Sequence, residues 1–333
     1  MAHSLPETIA PLLLRWYAAG HRDLPWRQDR EPYHIWLSEI MLQQTRVEAV
    51  RGYYARFLAE LPDIAALAAC EERRLTKLWE GLGYYSRVRN LQKAARVIMT
   101  QHGGEFPRDY AAIRALPGVG DYTAGAVASI CFDAPEPAVD GNVLRVLSRA
   151  TEDEAPVTRP AVKKAYEAAL RPAYEKNPGK RSELTQSLME LGACVCVPNG
   201  APKCAACPLR EICCAGESGA WSRLPVKEAK KPRRIEEKTV FFLQCGGQYA
   251  VRRRPETGLL AGLWELPNVE GTLSAQQALA LLERWGLAPE ELTRTRERTH
   301  IFTHVEWHMR CYDIRVSAPT GGFAWGSGGR FRQ

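Results

Sequence analysis

The sequence predicts a multidomain protein, an all-α helix–hairpin–helix domain followed by a smaller α+β domain. Three observations carry that prediction. Helical periodicity runs almost unbroken from residue 7 to about 215, a basic proline-containing stretch follows, and strand-like alternation begins only beyond it. With 333 residues the chain also exceeds the roughly 250–300 residues at which a single core stops growing.

The helical part is punctuated in order. Segments 63–79, 87–101 and 160–176 are rich in Ala, Leu, Arg, Lys and Glu, with apolar residues three and four apart. Residues 33–47 (YHIWLSEIMLQQTRV) read as an apolar helix, and Leu61-Pro62, Phe106-Pro107 and Pro117-Gly118 break the pattern between helices. Residues 222–238 hold seven Lys or Arg, three Glu and two Pro without an apolar face, which predicts a solvated linker. Thr239–Gln244 and Tyr249–Arg253 then read as strands joined by Cys245-Gly246-Gly247-Gln248. Residues 274–286 read as a helix and 299–316 as further strand. The tail 317–333 is Gly-rich and basic without a period, which predicts a frayed or incomplete end to the second domain. The expected division is 1–221, 222–238 and 239–333.

Charge narrows the partner. A net charge of +7 and a pI near 8.9 favour a polyanion. No apolar run reaches the ~20 residues that span a bilayer, so no membrane partner is expected. The start, MAHSLPETIA, lacks a basic stretch followed by an apolar one, so a cytoplasmic location is expected, nucleoid-associated if the source is bacterial. In such a reducing compartment clustered cysteines read as metal ligands rather than disulfides. Six of the ten lie between Cys194 and Cys214. Cys196, Cys204, Cys207 and Cys213 have intervals of seven, two and five residues, poor for a zinc finger and consistent with four ligands to a 4Fe–4S cluster.

Two acids stand in informative places. In AIRALPGVGDYTAGAVASI (112–130), Pro117 fixes a turn while Gly118 and Gly120 permit positive φ and remove bulk. The amides of such a turn, ahead of a helix N-terminus, form a site for a DNA phosphate. Asp140 follows twenty residues on, at the head of DGNVLRVLSR, where alone it would read as a helix cap. Glu39 shares an apolar helix face with Ile35, Trp36 and Leu42, and burial there raises a carboxyl pKa. The ordinary reading of Glu39 is an ion pair with Arg22 or Arg46.

Hairpin, downstream aspartate and cysteine cluster, in that order, resemble the helix–hairpin–helix base-excision glycosylase superfamily. The match is specifically to the MutY family of adenine DNA glycosylases and extends to about residue 310. The resemblance implies that the 116–120 turn, with Gly118 and Gly120, holds the backbone of the damaged strand. It assigns Asp140 to stabilising a cationic sugar, with Asn142 in support. WLSEIMLQQT puts the family's catalytic acid on Glu39, and cleaving an N-glycosidic bond needs one acid to protonate the base and one carboxylate to stabilise the sugar. Endonuclease III-like relatives carry a Schiff-base Lys where this chain has Tyr122, so a monofunctional glycosylase is expected. The wedge and pocket of base flipping map onto Gln44 with Thr45, and onto Leu82 and Tyr84 of GLGYYSRVRNL. Arg22, Trp26 and Gln186 match positions lining the adenine pocket, core packing being the ordinary reading of Leu82 and Trp26.

The family's cluster intervals are six, two and five. The extra residue here still favours Cys196 over Cys194, and Cys213 over Cys214. The cluster is expected to hold Lys203 and Arg210 against DNA. The family divides its catalytic region into a six-helix part, here about 24–136, and a cluster part, here 1–23 with 137–221. RRRPETGLLAGLWELP (252–267) resembles the start of a Nudix fold, and 274–286 carries only Glu283, too few acids for pyrophosphatase chemistry. Phe302-Thr303-His304 stands where the family reads 8-oxoguanine. The expected partner is therefore double-stranded DNA containing an adenine mispair, bound by a monomer. The rival readings are a silent lesion-binding protein, a bifunctional endonuclease III-like glycosylase, and an iron–sulfur electron carrier.

Overall fold

The computed structural model describes residues 7–229, 232–319 and 322–327, and the chain divides into two units, 1–228 and 229–333. Among the described residues the regular elements of the first unit are all helical. They are α1 (Ile9–Ala19), α2 (Pro32–Leu42), α3 (Val47–Glu60), α4 (Ile64–Ala69), α5 (Glu72–Leu78), α6 (Ser86–Gln101), α7 (Tyr110–Ala115), α8 (Asp121–Phe132), α9 (Gly141–Ala150), α10 (Pro160–Glu175), α11 (Arg181–Cys194) and α12 (Cys214–Ser218). Proline opens α2 and α10, where its missing N–H has no helical partner to lose. Asp63, Asp109 and Asp140 cap α4, α7 and α9 by accepting from the amides of Ala66, Ala112 and Val143.

Two helices end sooner than apolar periodicity predicts. The 63–79 segment splits at Cys70, because the buried Gln92 amide donates to the carbonyls of Leu67 and Cys70 and so satisfies the end of α4. The 33–47 segment stops at Leu42: Gln43 turns extended and Gln44 adopts φ 59°.

Two cores fill this unit. Residues between Leu24 and Ala138 build the first, around Trp36, Met41, Phe57 and Trp79. The second joins Ile9 and Leu13 of α1 to Val143 and Leu147 of α9, Tyr166 of α10 and Leu188 of α11. Met189 packs against both, and the chain passes from one to the other between Ala138 and Val139. The crossover lies tight on α8: a Cβ on Gly125 would stand 2.7 Å from the Pro137 carbonyl oxygen. That approach explains the run of small buried residues Ala124, Ala126, Ala128 and Ser129.

The second unit is a mixed seven-stranded sheet. Its strands are β1 (Arg234–Cys245), β2 (Gln248–Arg253), β3 (Trp264–Glu265), β4 (Asn268–Glu270), β5 (Pro289–Ile301), β6 (Val305–Val316) and β7 (Ala324–Gly326), in the order β3-β2-β1-β6-β5 with β4 on β1 and β7 on β2. β1 runs parallel to β6, and the other pairings are antiparallel. Gly246 and Gly247, both at positive φ, turn β1 into β2. Helix α13 (Ala275–Arg284), opened by a Ser274–Gln277 capping box, lays Ala278 and Leu282 on Phe241, Leu243, Tyr312 and Ile314.

Three expectations are corrected here. Of the expected linker 222–238, Leu224 is buried with Ala215 and Ala220 in the first unit, residues 234–238 are already β1, and Lys230 and Lys231 lie outside the described residues. Lys238 is buried because its ammonium lies 4.9 Å from the Trp307 ring, so a basic residue there does not mean solvent. β5 escapes an apolar-alternation reading because this edge strand, PEELTRTRERTHI, is largely exposed and charged on both faces. Within the tail, Ala324–Gly326 pair with β2 and Phe323 packs edge-on against Trp285, in a strand too short to show a period. Residues 320–321 and 328–333 lie outside the described residues.

A paired substitution tests the crossover. Gly125→Ala is expected to destabilise by about 1–3 kcal/mol in urea denaturation, since the backbone must shift. Gly52→Ala, inside α3 with nothing within 4 Å of the added carbon, is expected to stabilise by about 0.5–1 kcal/mol.

Candidate active site

The two cores of the first unit enclose a cleft of about 640 Å³. Arg22, Trp26, Glu39, Gln44, Thr45, Tyr122, Asp140, Asn142 and Gln186 all line it. Sequence reasoning drew these residues from five separate stretches; the fold brings them to one wall.

Glu39, on α2, is only 6% exposed. Its carboxyl accepts a 2.6 Å hydrogen bond from the Tyr122 hydroxyl. Burial raises its pKa to about 7, the nearby Asp140 charge adds to that, and the Tyr122 bond pulls the other way. The Tyr122 hydroxyl is itself pushed well above its ordinary range, first by burial and then by Glu39, so it stays a donor. The expected ion pair of Glu39 with Arg22 or Arg46 is not formed. Arg22 instead grips Glu190 with two bonds, Nε to Oε1 at 2.9 Å and Nη2 to Oε2 at 2.8 Å, and Arg27 joins at 2.9 Å. Burial pushes the Glu190 carboxyl up, but its bonds from Arg22 and Arg27 outweigh this and hold it near 2. Glu190 thus anchors two guanidinium groups beside the cleft.

Asp140 is both a cap and a cleft residue. Its Oδ1 accepts from the Val143 amide and its Oδ2 from the Asn142 side-chain NH2, each at 2.8 Å. Burial raises its pKa, against these hydrogen bonds and the Arg145 charge. Arg145 also fixes the amide orientation, because its Nη2 donates to Asn142 Oδ1 at 2.9 Å and leaves the NH2 for Asp140. The same guanidinium donates to the carbonyls of Gly192 and Cys196, both at 2.7 Å. A Cβ on Gly192 would stand 2.6 Å from the Asn142 Cβ, so α11 presses on this residue too. Two acids therefore share one cleft with unequal support. Asp140 has several donors and the N-terminus of α9, which favour its charge, whereas Glu39 has a single donor to set against its burial, which favours its proton.

The remaining expected residues divide. Trp26 lines the cleft and also packs edge-on against Tyr54 at 5.5 Å, so its core and site readings coexist. Gln186 accepts from Tyr17 and donates to Ser182. Leu82 and Tyr84 do not line the cleft: Leu82 is buried in the first core, and Tyr84 is 51% exposed at φ 46°. In the α7–α8 hairpin only Gly118 has positive φ, 77°, and Asn90 occupies the space its Cβ would need. Gly120 is extended at φ −96°, so the expectation of positive φ there is corrected; it caps α8 with nothing within 4 Å of an added Cβ, which leaves the helix N-terminus clear. Phe302, Thr303 and His304 form the β5–β6 turn of the second unit. There Phe302 packs edge-on against Trp307 at 4.8 Å and His300 at 4.4 Å.

None of the ten cysteines is in a disulfide. Burial first, then the neighbouring Cys196, Cys213 and Cys204, push the Cys207 thiol up to about 11, so these four sulfurs share one locality. Cys194 turns to Glu190 instead, and Cys214 is exposed. Arg149 donates to the Cys196 sulfur at 3.3 Å. Among the described residues no three His, Cys, Asp or Glu side chains converge on the point a single ion would occupy.

Arg27, Arg145 and Glu190 were not found by sequence reasoning. The available signal was Glu190 on the same buried helix as Leu184, Leu188 and Leu191, since a buried carboxylate demands cationic partners.

Comparison with known proteins places both units in known families. The family model for HhH-GPD superfamily base excision DNA repair proteins matches residues 37–172, and that for the NUDIX domain matches 239–330. An adenine DNA glycosylase of Mus musculus is 35% identical over 93% of this chain and 72% of its own length. One from Buchnera aphidicola subsp. Acyrthosiphon pisum is 36% identical over 92% of this chain and 87% of its own. The solved structure of a thermostable thymine-DNA glycosylase superposes with a TM-score of 0.56 at 28% identity, covering 64% of this chain and 96% of that one.

The electrostatics can be read directly. Isotope-edited NMR should show Glu39 titrating near pH 7, far above its ordinary 4.5. Tyr122→Phe removes a bond that favours the charged form, so the titration should move higher; a move downward would contradict the assignment of that bond.

Proposed function

The chain belongs to the adenine DNA glycosylase family, and we propose that it hydrolyses the glycosidic bond of adenine mispaired with 8-oxoguanine or guanine, with no lyase step. It is a DNA-binding enzyme of base excision repair. The observation that carries the finer reading is the pair Glu39 and Asp140, two acids lining one cleft, Glu39 buried with a single hydrogen-bond donor and Asp140 held by several.

On this reading the amides of the 116–120 turn and the N-terminus of α8 hold a phosphate of the damaged strand. The adenine swings into the cleft between Trp26, Arg22 and Gln186, while Gln44 and Thr45 fill the vacated stack. Glu39 gives its proton to the base as the base–sugar bond breaks, and the bonding pair leaves with the base. The sugar becomes cationic, and the Asp140 carboxylate, oriented by Asn142, offsets that charge in a water-poor site. Glu39, now a carboxylate, takes a proton from the water that attacks the sugar, which restores the enzyme and leaves an abasic site. Tyr122 keeps its proton and offers no amine, so no Schiff base forms and the strand stays intact. Phe302, Thr303 and His304 read the opposite base.

Cys196, Cys204, Cys207 and Cys213 would hold a 4Fe–4S cluster, which when bound supplies a structural cross-link for the loop carrying Lys203 and Arg210. The enzyme acts as a monomer in the cytoplasm, on the nucleoid in a bacterium.

A duplex with one adenine opposite 8-oxoguanine tests the reaction. Strand breaks should appear only after hot alkali; breaks without alkali would mean lyase chemistry. Glu39→Gln should lower the single-turnover rate by about 10²–10⁴-fold with DNA affinity retained, and normal turnover would overturn the assignment. Iron and sulfide analysis of the purified protein, with its visible absorbance, decides the cluster; zinc alone would contradict it.

A further inference from the structure

One guanidinium joins two loops that sequence reasoning treated separately. Arg87, on α6, donates through Nη1 to the carbonyls of Ile40, Met41 and Gln43 at 2.9, 3.0 and 2.5 Å. Through Nη2 it donates to the carbonyls of Leu82 and Gly83 at 2.9 and 3.3 Å and to Thr45 Oγ1 at 3.4 Å. All six acceptors are neutral oxygens. The Ile40 and Met41 carbonyls belong to the last turn of α2, where a helix has no internal donors left. The guanidinium also lies over the Trp79 ring at 5.3 Å and beside the Tyr84 ring at 5.6 Å, while Trp79 Nε1 adds a second bond to the Gly83 carbonyl.

The backbone on either side of this clamp is strained. Gln44 and Tyr84 adopt left-handed φ of 59° and 46°, conformations that residues other than glycine rarely hold without outside support. The carbonyls immediately before them, on Gln43 and Gly83, are both Arg87 acceptors. One side chain thus fixes the peptide preceding each left-handed residue.

We infer that Arg87 is a positioning residue for base extrusion, holding the 43–45 and 82–84 loops at a set spacing so that Gln44 and Tyr84 meet the duplex already ordered. This rests on the reading of Gln44, Thr45, Leu82 and Tyr84 as the residues that supply the wedge and pocket of base flipping. A planar fork is needed, because one ammonium cannot serve two sets of carbonyls in fixed directions. With only neutral partners, the guanidinium also leaves a positive charge near the loops that approach phosphate. Arg87 touches no reacting atom; its contribution is to the step before chemistry.

The test separates extrusion from chemistry. Single-turnover excision by Arg87→Lys is measured on adenine opposite guanine in a duplex, and on adenine already unstacked opposite an abasic-site analogue. The expected result is a loss of about tenfold or more on the paired adenine and a much smaller loss on the unstacked one. Equal loss on both substrates, or none on either, would overturn the inference. Gln44→Ala and Tyr84→Ala run alongside. If they lose the paired substrate selectively and Arg87→Lys does not, the Arg87 inference alone fails. If none of the three is selective, the reading of the two loops fails instead and takes the inference with it. Should Arg87→Lys not fold, Arg87→Gln is put through the same comparison; failure of both to fold would show that Arg87 holds the fold rather than the loops, and would overturn it.

Discussion

Two carboxyl groups face one desolvated cleft, and much of the first unit serves to support them unequally. In water both would ionise below pH 5. Removed from water both are raised, the Asp140 charge raises Glu39 further, and local donors oppose the shift at each. Asp140 has the Val143 amide, the Asn142 side chain and a helix N-terminus, whereas Glu39 has the Tyr122 hydroxyl. The proposed division of labour between the two acids rests on that inequality.

The arrangement is supported from behind. Asp140 stands two residues after the chain leaves the first core, so its position is set by the seam between two packed bodies rather than by a free loop. Arg145 ties Asn142 to the Gly192 and Cys196 carbonyls, which links the acid's support to the start of the cysteine loop. On the opposite side Glu190 holds Arg22 and Arg27. Breaking the Glu190 hub by removing one partner would leave a buried charge uncompensated, the expensive way to lose an ion pair.

How much of this was legible in the sequence depends on the range of each interaction. Glu39 and Asp140 stood out because local pattern marks them, an acid on an apolar helix face and a cap beyond a Gly-containing turn. The cysteine intervals were legible for the same reason. Arg145, Arg87 and Glu190 were not, because each acts on residues 42 to 168 positions away along the chain, and a basic residue inside a helical pattern reads first as a solvated one. Gln44 and Tyr84 illustrate the limit: type and motif suggested them, while their left-handed backbone and shared guanidinium exist only in the fold. β5 was invisible because an exposed charged edge strand has no apolar face to alternate, and Gly120 was misread because a glycine can serve by leaving space as well as by bending.

On the proposed function, Asp140 acts by charge on a cationic sugar, not merely as the cap of α9. Asp140→Asn separates the two, since Asn also caps helices. The measurement is the affinity of wild type and variant for two duplexes, one with a cationic pyrrolidine at the target nucleotide and one with a neutral tetrahydrofuran. Wild type is expected to prefer the cation by about 10²-fold or more, and Asp140→Asn to lose most of that preference while binding the neutral duplex as before. An undiminished preference in the variant would contradict it.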